Sequence, residues 1–77
     1  MEIKILGTGC PKCITMEKVT HEVVMKNNLD ATITKVTDIM EIMNFGVMTT
    51  PALVVDGKVV VKGRVPSQDE ILKLIQD

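Results

Sequence analysis

The residues best suited to chemistry are two cysteines, Cys10 and Cys13, in the stretch Cys-Pro-Lys-Cys that follows Gly7-Thr8-Gly9. Residues three apart on a helical turn place their Cβ atoms about 5–6 Å apart, so small movements bring two such thiols into a disulfide. On the chain-entropy model, closing so short a ring stabilises a fold by only about 2 kcal/mol, against about 3 kcal/mol for a fifteen-residue loop. The pair is therefore better suited to reversible redox chemistry than to holding the structure together.

The two thiols are expected to differ because the sequence places them differently at the start of a helix. A backbone N–H at the first helical position has no partner within the helix, so Pro11, which lacks an N–H, suits that position. Cys10 therefore falls at the N-cap. The free N–H groups and the positive end of the helix dipole there favour thiolate over thiol. Cys13 lies in the first turn on the apolar stripe, where burial disfavours its charge. These positions predict that Cys10 attacks a disulfide and that Cys13 resolves the resulting mixed disulfide.

The hydropathy pattern predicts strands and helices that position this pair. β-Branched and alternating runs predict four strands, at Glu2–Leu6, Ala31–Val36, Ala52–Val55 and Lys58–Lys62. An apolar stripe and two capping boxes predict three helices: from Pro11 to about Asn27, from Asp38 to Met43 or Asn44, and from Ser67 onward. The dipeptide Asp56-Gly57 predicts a tight hairpin between the last two strands. The order is therefore β-α-β-α-β-β-α.

This order predicts the arrangement of the sheet. A strand, a helix and a strand in succession form a parallel pair with a right-handed crossover, and the hairpin adds antiparallel strands. We therefore expect an α/β fold with a four-stranded mixed sheet and three helices on both faces, in a single domain spanning residues 1–77. A core with only one aromatic residue needs flexible gap-fillers, so five methionines are expected in it: Met16, Met25, Met40, Met43 and Met48.

Composition and charge exclude several classes of function. Nine basic against ten acidic side chains and a single aromatic residue leave no basic stripe and no stacking platform for nucleic acid. The longest uncharged stretch, Ile42 to Val55, spans fourteen residues, whereas a membrane span needs about 20 apolar residues. The first residues show no basic patch followed by an apolar run, so no secretory leader is expected. These features predict a monomer of the reducing cytoplasm that binds neither nucleic acid nor membrane.

Three stretches carry a family resemblance that covers essentially the whole chain: GTGCPKC before a helix, MTTPALVVDGKVV, and the capped final helix. They resemble the small, glutaredoxin-sized thioredoxin-like proteins of archaea and bacteria called redox-active disulfide proteins. The resemblance implies the thioredoxin fold with sheet order 2-1-3-4. It also implies thiol-disulfide oxidoreductase activity on protein or small-molecule disulfides, without a bound cofactor, and an upstream disulfide reductase of unidentified kind that restores the dithiol.

The resemblance further implies roles for individual residues. Cys10 matches the nucleophile of the family, and Cys13 matches its resolving cysteine. Pro51 matches a cis-proline beside the cysteine pair, and the backbone of Thr50 matches the segment that pairs with a bound substrate strand. Pro11 and Lys12, between the two cysteines, complete the expected substrate-binding set. The family pattern is not followed everywhere, because no acidic residue obviously matches the buried aspartate of thioredoxin.

The same cysteine pair fits a second class of protein, a soft-metal binding module or copper metallochaperone. Two thiolates suit Cu(I), and heavy-metal-associated domains also present Cys-x-x-Cys where a loop meets a helix. Against this class, its element order ends in a strand, whereas this chain is predicted to end in a helix. His21 is expected on the solvated surface, because it lies eight residues and about 12 Å along the helix from Cys13. Ile14 is expected either under the third helix or as an apolar rim beside Cys10.

Overall fold

The structure, a computed structural model, describes residues 1–76. Its strands are β1 Glu2–Leu6, β2 Thr32–Val36, β3 Ala52–Val55 and β4 Lys58–Lys62. Its helices are α1 Pro11–Lys26, α2 Ile39–Asn44 and α3 Gln68–Gln76. The predicted order β-α-β-α-β-β-α is confirmed, with β2 beginning one residue later and α1 ending one residue earlier than expected.

The four strands form one mixed sheet in the order β2-β1-β3-β4, as the resemblance implied. β1 runs parallel to β2 and antiparallel to β3, and β3 runs antiparallel to β4. Leu6 at the end of β1 lies opposite Val36, which ends β2, and opposite Ala52, which begins β3. The segment that leaves β1 and the segment that enters β3 therefore emerge at the same end of the sheet.

Helices cover both faces of the sheet because side chains of each strand alternate between them. On one face, α1 and α3 pack over a core of nine buried residues: Ile3, Ile5, Met16, Val23, Val24, Leu53, Val61, Ile71 and Ile75. On the other face, α2 and its flanking segments pack over a smaller core: Leu6, Val36, Ile42, Val47, Ala52 and Val54. The expectation of a two-sided α/β sheet is confirmed.

The hairpin between β3 and β4 follows the predicted turn chemistry. Asp56 and Gly57 both have left-handed backbone, with φ of 50° and 84°, as a two-residue turn of this kind requires. The Asp56 carboxylate also accepts a hydrogen bond of 2.8 Å from the Glu2 N–H, which ties the turn to the start of β1. β4 is an edge strand, and exposed Lys58 and Lys62 at its two ends discourage pairing with another sheet.

The expectation that five methionines fill the core is wrong for four of them. Met16 is fully buried, whereas Met25, Met40, Met43 and Met48 are 79%, 67%, 57% and 90% exposed. Met40 and Met43 are exposed because α2 spans only six residues and buries only Ile42 against the sheet. Met25 lies outside the buried stripe of α1, and Met48 lies in the segment between α2 and β3. Small branched side chains from the strands fill the core without help from these methionines.

The start of α2 generates a prediction about stability. Asp38 is the N-cap, and its carboxylate accepts a hydrogen bond of 2.8 Å from the Met40 N–H. The Asp38→Ala variant should lower the free energy of unfolding by about 1 kcal/mol, because that N–H loses its partner. Denaturant unfolding measures this loss, and Asp38→Asn, which keeps an acceptor oxygen, is the matched control. Equal destabilisation by the two substitutions would show that the cap does not act through this hydrogen bond.

Candidate active site

The cysteine pair lies where β1 ends and the chain turns into α1. Cys10 has an extended backbone, with φ of −67° and ψ of 163°, and is the N-cap of α1, while Pro11 opens the first turn. The Cys10 carbonyl accepts a hydrogen bond of 3.0 Å from the Ile14 N–H. Its sulfur accepts one of 3.2 Å from the Cys13 N–H. The predicted N-cap position of Cys10 is therefore confirmed, and its sulfur faces the N–H groups of the helix.

The two cysteines form a disulfide and differ in exposure. Cys10 and Cys13 are joined through their sulfurs, with Cα atoms 5.0 Å apart. Cys13 is only 5% exposed and lies on the buried stripe of α1, whereas Cys10 is half-buried at the open end of the helix. An incoming thiol or disulfide therefore has access to the sulfur of Cys10 but hardly to that of Cys13. Such a pair supports reversible interconversion between dithiol and disulfide.

Gly7 is a site residue for which the sequence motif predicted no role. It is buried, and its N–H donates a hydrogen bond of 3.0 Å to the Val36 carbonyl at the end of β2. A Cβ added at Gly7 would collide with the Cys13 sulfur and lie 2.9 Å from the Cys13 Cβ. Glycine is thus required here because the end of β1 passes directly against the second cysteine. Its position just before the cysteine motif is the only signal the sequence offers.

The loop of Thr50 and Pro51 lies at the same end of the sheet as the cysteines. It immediately precedes β3, whose first residue, Ala52, pairs with Leu6. The Thr50-Pro51 peptide bond is cis, the geometry that the resemblance implied. Thr50 is exposed and Pro51 is buried. Thr50 and Thr8, a residue of the turn before the cysteines, line one shared groove, so the two loops are neighbours.

The two residues between the cysteines remain on the surface. Pro11 and Lys12 are both exposed on the first turn of α1. The carbonyl of Pro11 accepts a hydrogen bond of 3.0 Å from the Thr15 hydroxyl one turn further along. Both side chains are therefore accessible to a partner that approaches Cys10.

A salt bridge fixes the loop that follows β4. The Gly63 N–H donates a hydrogen bond of 2.8 Å to the Pro51 carbonyl, so this loop borders the cis-proline. The next residue, Arg64, makes two side-chain hydrogen bonds with the Glu70 carboxylate on α3, one of them 2.8 Å long. The hydrogen bond from Arg64 lowers the pKa of Glu70. The salt bridge connects the loop after β4 to α3 and holds Arg64 beside the loop of Pro51.

A small cavity of about 40 Å³ adjoins the buried cysteine. Its lining combines the turn after β1, the first turns of α1 and the end of β2: Ile5, Gly7, Gly9, Cys13, Ile14, Glu17, Lys35 and Thr37. Ile14 is 59% exposed and forms a rim of this cavity. The Lys35 ammonium lies 3.4 Å from the Glu17 carboxylate. Neither Glu17 nor Lys35 was identified from the sequence, because the motif alone does not show which residues pack beside Cys13.

The metal-binding alternative finds no third ligand. Within residues 1–76, no group of three or more His, Cys, Asp or Glu side chains is arranged to hold a metal ion. His21 is half-exposed, and its Nε2 lies 4.0 Å from the Glu17 carboxylate on the same helix. A metal site would therefore depend on the sulfurs of Cys10 and Cys13 alone. In the same described part of the chain, no helix is long and apolar enough to cross a membrane.

The fold and this pair of sulfurs together define a class of protein. A dithiol at the N-terminus of the first helix, on a sheet of order 2-1-3-4, is the arrangement of a thiol-disulfide oxidoreductase with the thioredoxin fold. The comparisons with known proteins agree, because a sequence model of the thioredoxin domain matches residues 1–76.

Two archaeal relatives cover most of the chain. The thioredoxin of Methanothermobacter thermautotrophicus is 39% identical over 75 residues, which cover 97% of this chain and 97% of that protein. The thioredoxin of Methanocaldococcus jannaschii is 42% identical over 69 residues, which cover 90% of this chain and 79% of that protein. The chain belongs to the thioredoxin family, as its small thioredoxin-like motifs predicted.

The contact between Gly7 and Cys13 generates a prediction. The Gly7→Ala variant should lower the free energy of unfolding by about 1–3 kcal/mol, because an added methyl group overpacks the interface between β1 and α1. Denaturant unfolding of the oxidised protein measures the loss. Thr8→Ala, at the exposed neighbouring position of the same turn, is the control and should change stability by less than about 0.5 kcal/mol. A Gly7→Ala protein as stable as the control would contradict the close approach.

Proposed function

We propose that this protein reduces disulfide bonds of protein substrates, with Cys10 as the nucleophile and Cys13 as the resolving cysteine. The observation that carries the proposal is the difference between the two sulfurs. That of Cys10 lies at the open N-terminus of α1, and that of Cys13 is almost completely buried. This difference supports Cys10 as the group that meets a substrate and Cys13 as the group that reacts next.

The first step is the attack of the Cys10 thiolate on a substrate disulfide. The N–H groups of the first helical turn and the helix dipole favour this thiolate, and the Cys13 N–H already points at the Cys10 sulfur. Exposed Lys12 adds a positive charge nearby. A bond forms between Cys10 and one substrate sulfur, the substrate S–S bond breaks, and the other substrate sulfur leaves as a thiolate.

The second step releases the substrate. Cys13 loses its proton and attacks the Cys10 sulfur of the mixed disulfide, and the Cys10–Cys13 bond forms. The substrate sulfur that was bonded to Cys10 departs with the bonding electrons and takes up a proton. This attack is intramolecular, and well-oriented intramolecular reactions reach effective molarities of about 10⁵–10⁸ M. The protein ends as the disulfide seen in the structure. An upstream disulfide reductase then supplies two electrons to restore the dithiol, and the cycle requires no bound cofactor.

Protein substrates suit the surface beside the pair better than small disulfides do. A shallow groove of about 270 Å³ borders Thr50 and is lined mainly by apolar side chains: Ile39, Ile42, Met43, Val47 and Met48. An extended substrate segment that pairs with the Thr50 backbone would place a neighbouring apolar side chain in this groove. Thr50, Pro51, Pro11 and Lys12 would then border the reacting sulfurs. We further propose that the protein works as a monomer in the reducing cytoplasm, where such a dithiol is maintained.

Replacement of each cysteine tests the two roles. Cys13→Ser should still attack substrates but stop at the mixed disulfide, because nothing intramolecular displaces the partner. Cys10→Ser should lose disulfide reduction and capture no partner, because the remaining thiol is buried. Both reduced variants are incubated with a defined disulfide-bonded protein and analysed on non-reducing gels and by mass spectrometry.

The same experiment separates this function from copper binding. A metal module predicts that both serine variants lose Cu(I) affinity to a similar degree and that neither accumulates a disulfide-linked partner. Equal behaviour of the two variants towards the disulfide-bonded protein would refute the assignment of nucleophile and resolving cysteine.

The groove generates a second prediction, on substrate size. Met43→Gln and Met48→Gln should each lower kcat/KM for a protein disulfide, because each removes about 1 kcal/mol of apolar contact, which is about fivefold in rate. The kcat/KM for a small disulfide such as cystine should change by less than about twofold. Met25→Gln is the matched control, because Met25 lies near the end of α1 and its exposed fraction falls between those of Met43 and Met48. If all three variants kept the wild-type kcat/KM with both substrates, the groove would be excluded from substrate binding.

A further inference from the structure

The loop that follows β4 borders the segment expected to pair with a substrate. Its Gly63 N–H donates a hydrogen bond of 2.8 Å to the Pro51 carbonyl. A Cβ added at Gly63 would lie 3.1 Å from the Thr49 hydroxyl oxygen, so the loop also packs against the residue before Thr50. A substrate segment that pairs with the Thr50 backbone therefore lies beside the loop after β4.

Both residues that flank Gly63 are basic, and only one of them is neutralised. Arg64 is paired with the Glu70 carboxylate on α3. Lys62, the last residue of β4, is exposed, and no carboxylate of residues 1–76 lies within 4.0 Å of its ammonium group. The positive charge of Lys62 is therefore available to a ligand on this surface.

The register of the sheet directs Lys62 to the same face as the apolar groove beside Thr50. Lys62 pairs with Ala52, and residues directly opposite each other on adjacent strands carry their side chains on one face of the sheet. Ala52 belongs to the core on the face of α2, the helix that contributes side chains to the groove. Among the described residues, no charged side chain lines the groove itself. A bound segment therefore meets an apolar groove and a positive charge on the same face of the sheet.

Lys12 adds a second positive charge beside the reacting sulfurs. It is exposed between the two cysteines, and within the described part of the chain no carboxylate lies within 4.0 Å of its ammonium group. The protein as a whole carries nine basic and ten acidic side chains, with a formal net charge of −1. The positive charge around the site is therefore a local feature, and local fields of this kind attract oppositely charged partners.

We propose that the protein selects disulfides flanked by acidic residues and that Lys62 is the specificity-determining residue. The inference rests on the proposed exchange function. A carboxylate close to the substrate cysteine meets the Lys62 ammonium while an apolar neighbour occupies the groove. The attraction favours encounter and binding and leaves the exchange at Cys10 unchanged. Because an ammonium group is a compact charge on a flexible stem, the selection is for negative charge, and aspartate and glutamate serve equally.

Three disulfide-bridged peptides that differ only in one residue beside a cysteine, glutamate, glutamine or lysine, test the proposal. The second-order rate constant for oxidation of the fully reduced protein is measured with each peptide and divided by that of dithiothreitol with the same peptide, which removes differences in intrinsic reactivity. At low ionic strength the glutamate peptide should react about two- to fivefold faster than the glutamine peptide, the range of an exposed ion pair. The lysine peptide should be the slowest. In about 1 M salt, where the screening length is about 3 Å, the three rates should converge.

Variants at the two ends of β4 separate a local contact from the net charge of the protein. Lys62→Gln should lower the preference for the glutamate peptide to half or less, and Lys62→Glu should favour the lysine peptide. Lys58→Gln and Lys58→Glu are the matched controls, because Lys58 is exposed on the same strand but pairs with Val55 beside the hairpin turn. They change the net charge equally and should leave the preference unchanged.

Equal normalised rates with the glutamate and glutamine peptides in the wild type would overturn the inference. A preference unchanged by Lys62→Gln would overturn it as well, and so would an equal effect of Lys58→Glu and Lys62→Glu. Each of these results leaves the proposed function intact, because the peptides still oxidise the dithiol. A wild-type protein that none of the three peptides oxidises would instead remove the proposed function itself.

Discussion

The close packing of the end of β1 against the first turn of α1 determines the character of the site. Gly7 allows this contact because it has no side chain to displace the Cys13 sulfur. The same contact places Cys10 one turn away, at the N-cap, where the helix has no further residues to cover it. Two chemically identical side chains thereby acquire different surroundings without any specialised residue between them. The division of labour between the cysteines follows from where one helix is packed on one strand.

Sheet order then brings the remaining parts of the site to that contact. β1 is an interior strand with a parallel neighbour on one side and an antiparallel neighbour on the other. The end of β1, the end of β2 and the start of β3 therefore meet at one end of the sheet. Lys35 near the end of β2 therefore lines the cavity beside Cys13, and Thr50 before β3 lines a groove with Thr8 of the turn before the cysteines. The order and direction of the strands are enough to explain this placement, although the two residues are distant in the sequence.

Features governed by local chemistry were predictable from the sequence. The N-cap at Cys10, the left-handed Asp56-Gly57 turn and three strands with correct bounds follow from propensities and periodicity within a few residues. Features governed by packing between distant elements were not. Met40 and Met43 are exposed because α2 is too short to turn them inwards, and the pairing of Glu17 with Lys35 depends on the register of β2 against β1. Hydropathy alone carries no information about either.

The short ring closed by Cys10 and Cys13 links redox state and folding only weakly. Residues three apart in sequence meet frequently even in an unfolded chain, so the bond restricts the unfolded state only slightly. In a thermodynamic cycle of oxidation and unfolding, the free energy of forming the disulfide is then similar in the folded and the unfolded chain. Closure of the ring therefore contributes little to the balance between dithiol and disulfide, which depends on the helix terminus and on the few side chains around the sulfurs. The domain is able to alternate between its two oxidation states with a change of only about 2 kcal/mol in the stability of the sheet and its two cores.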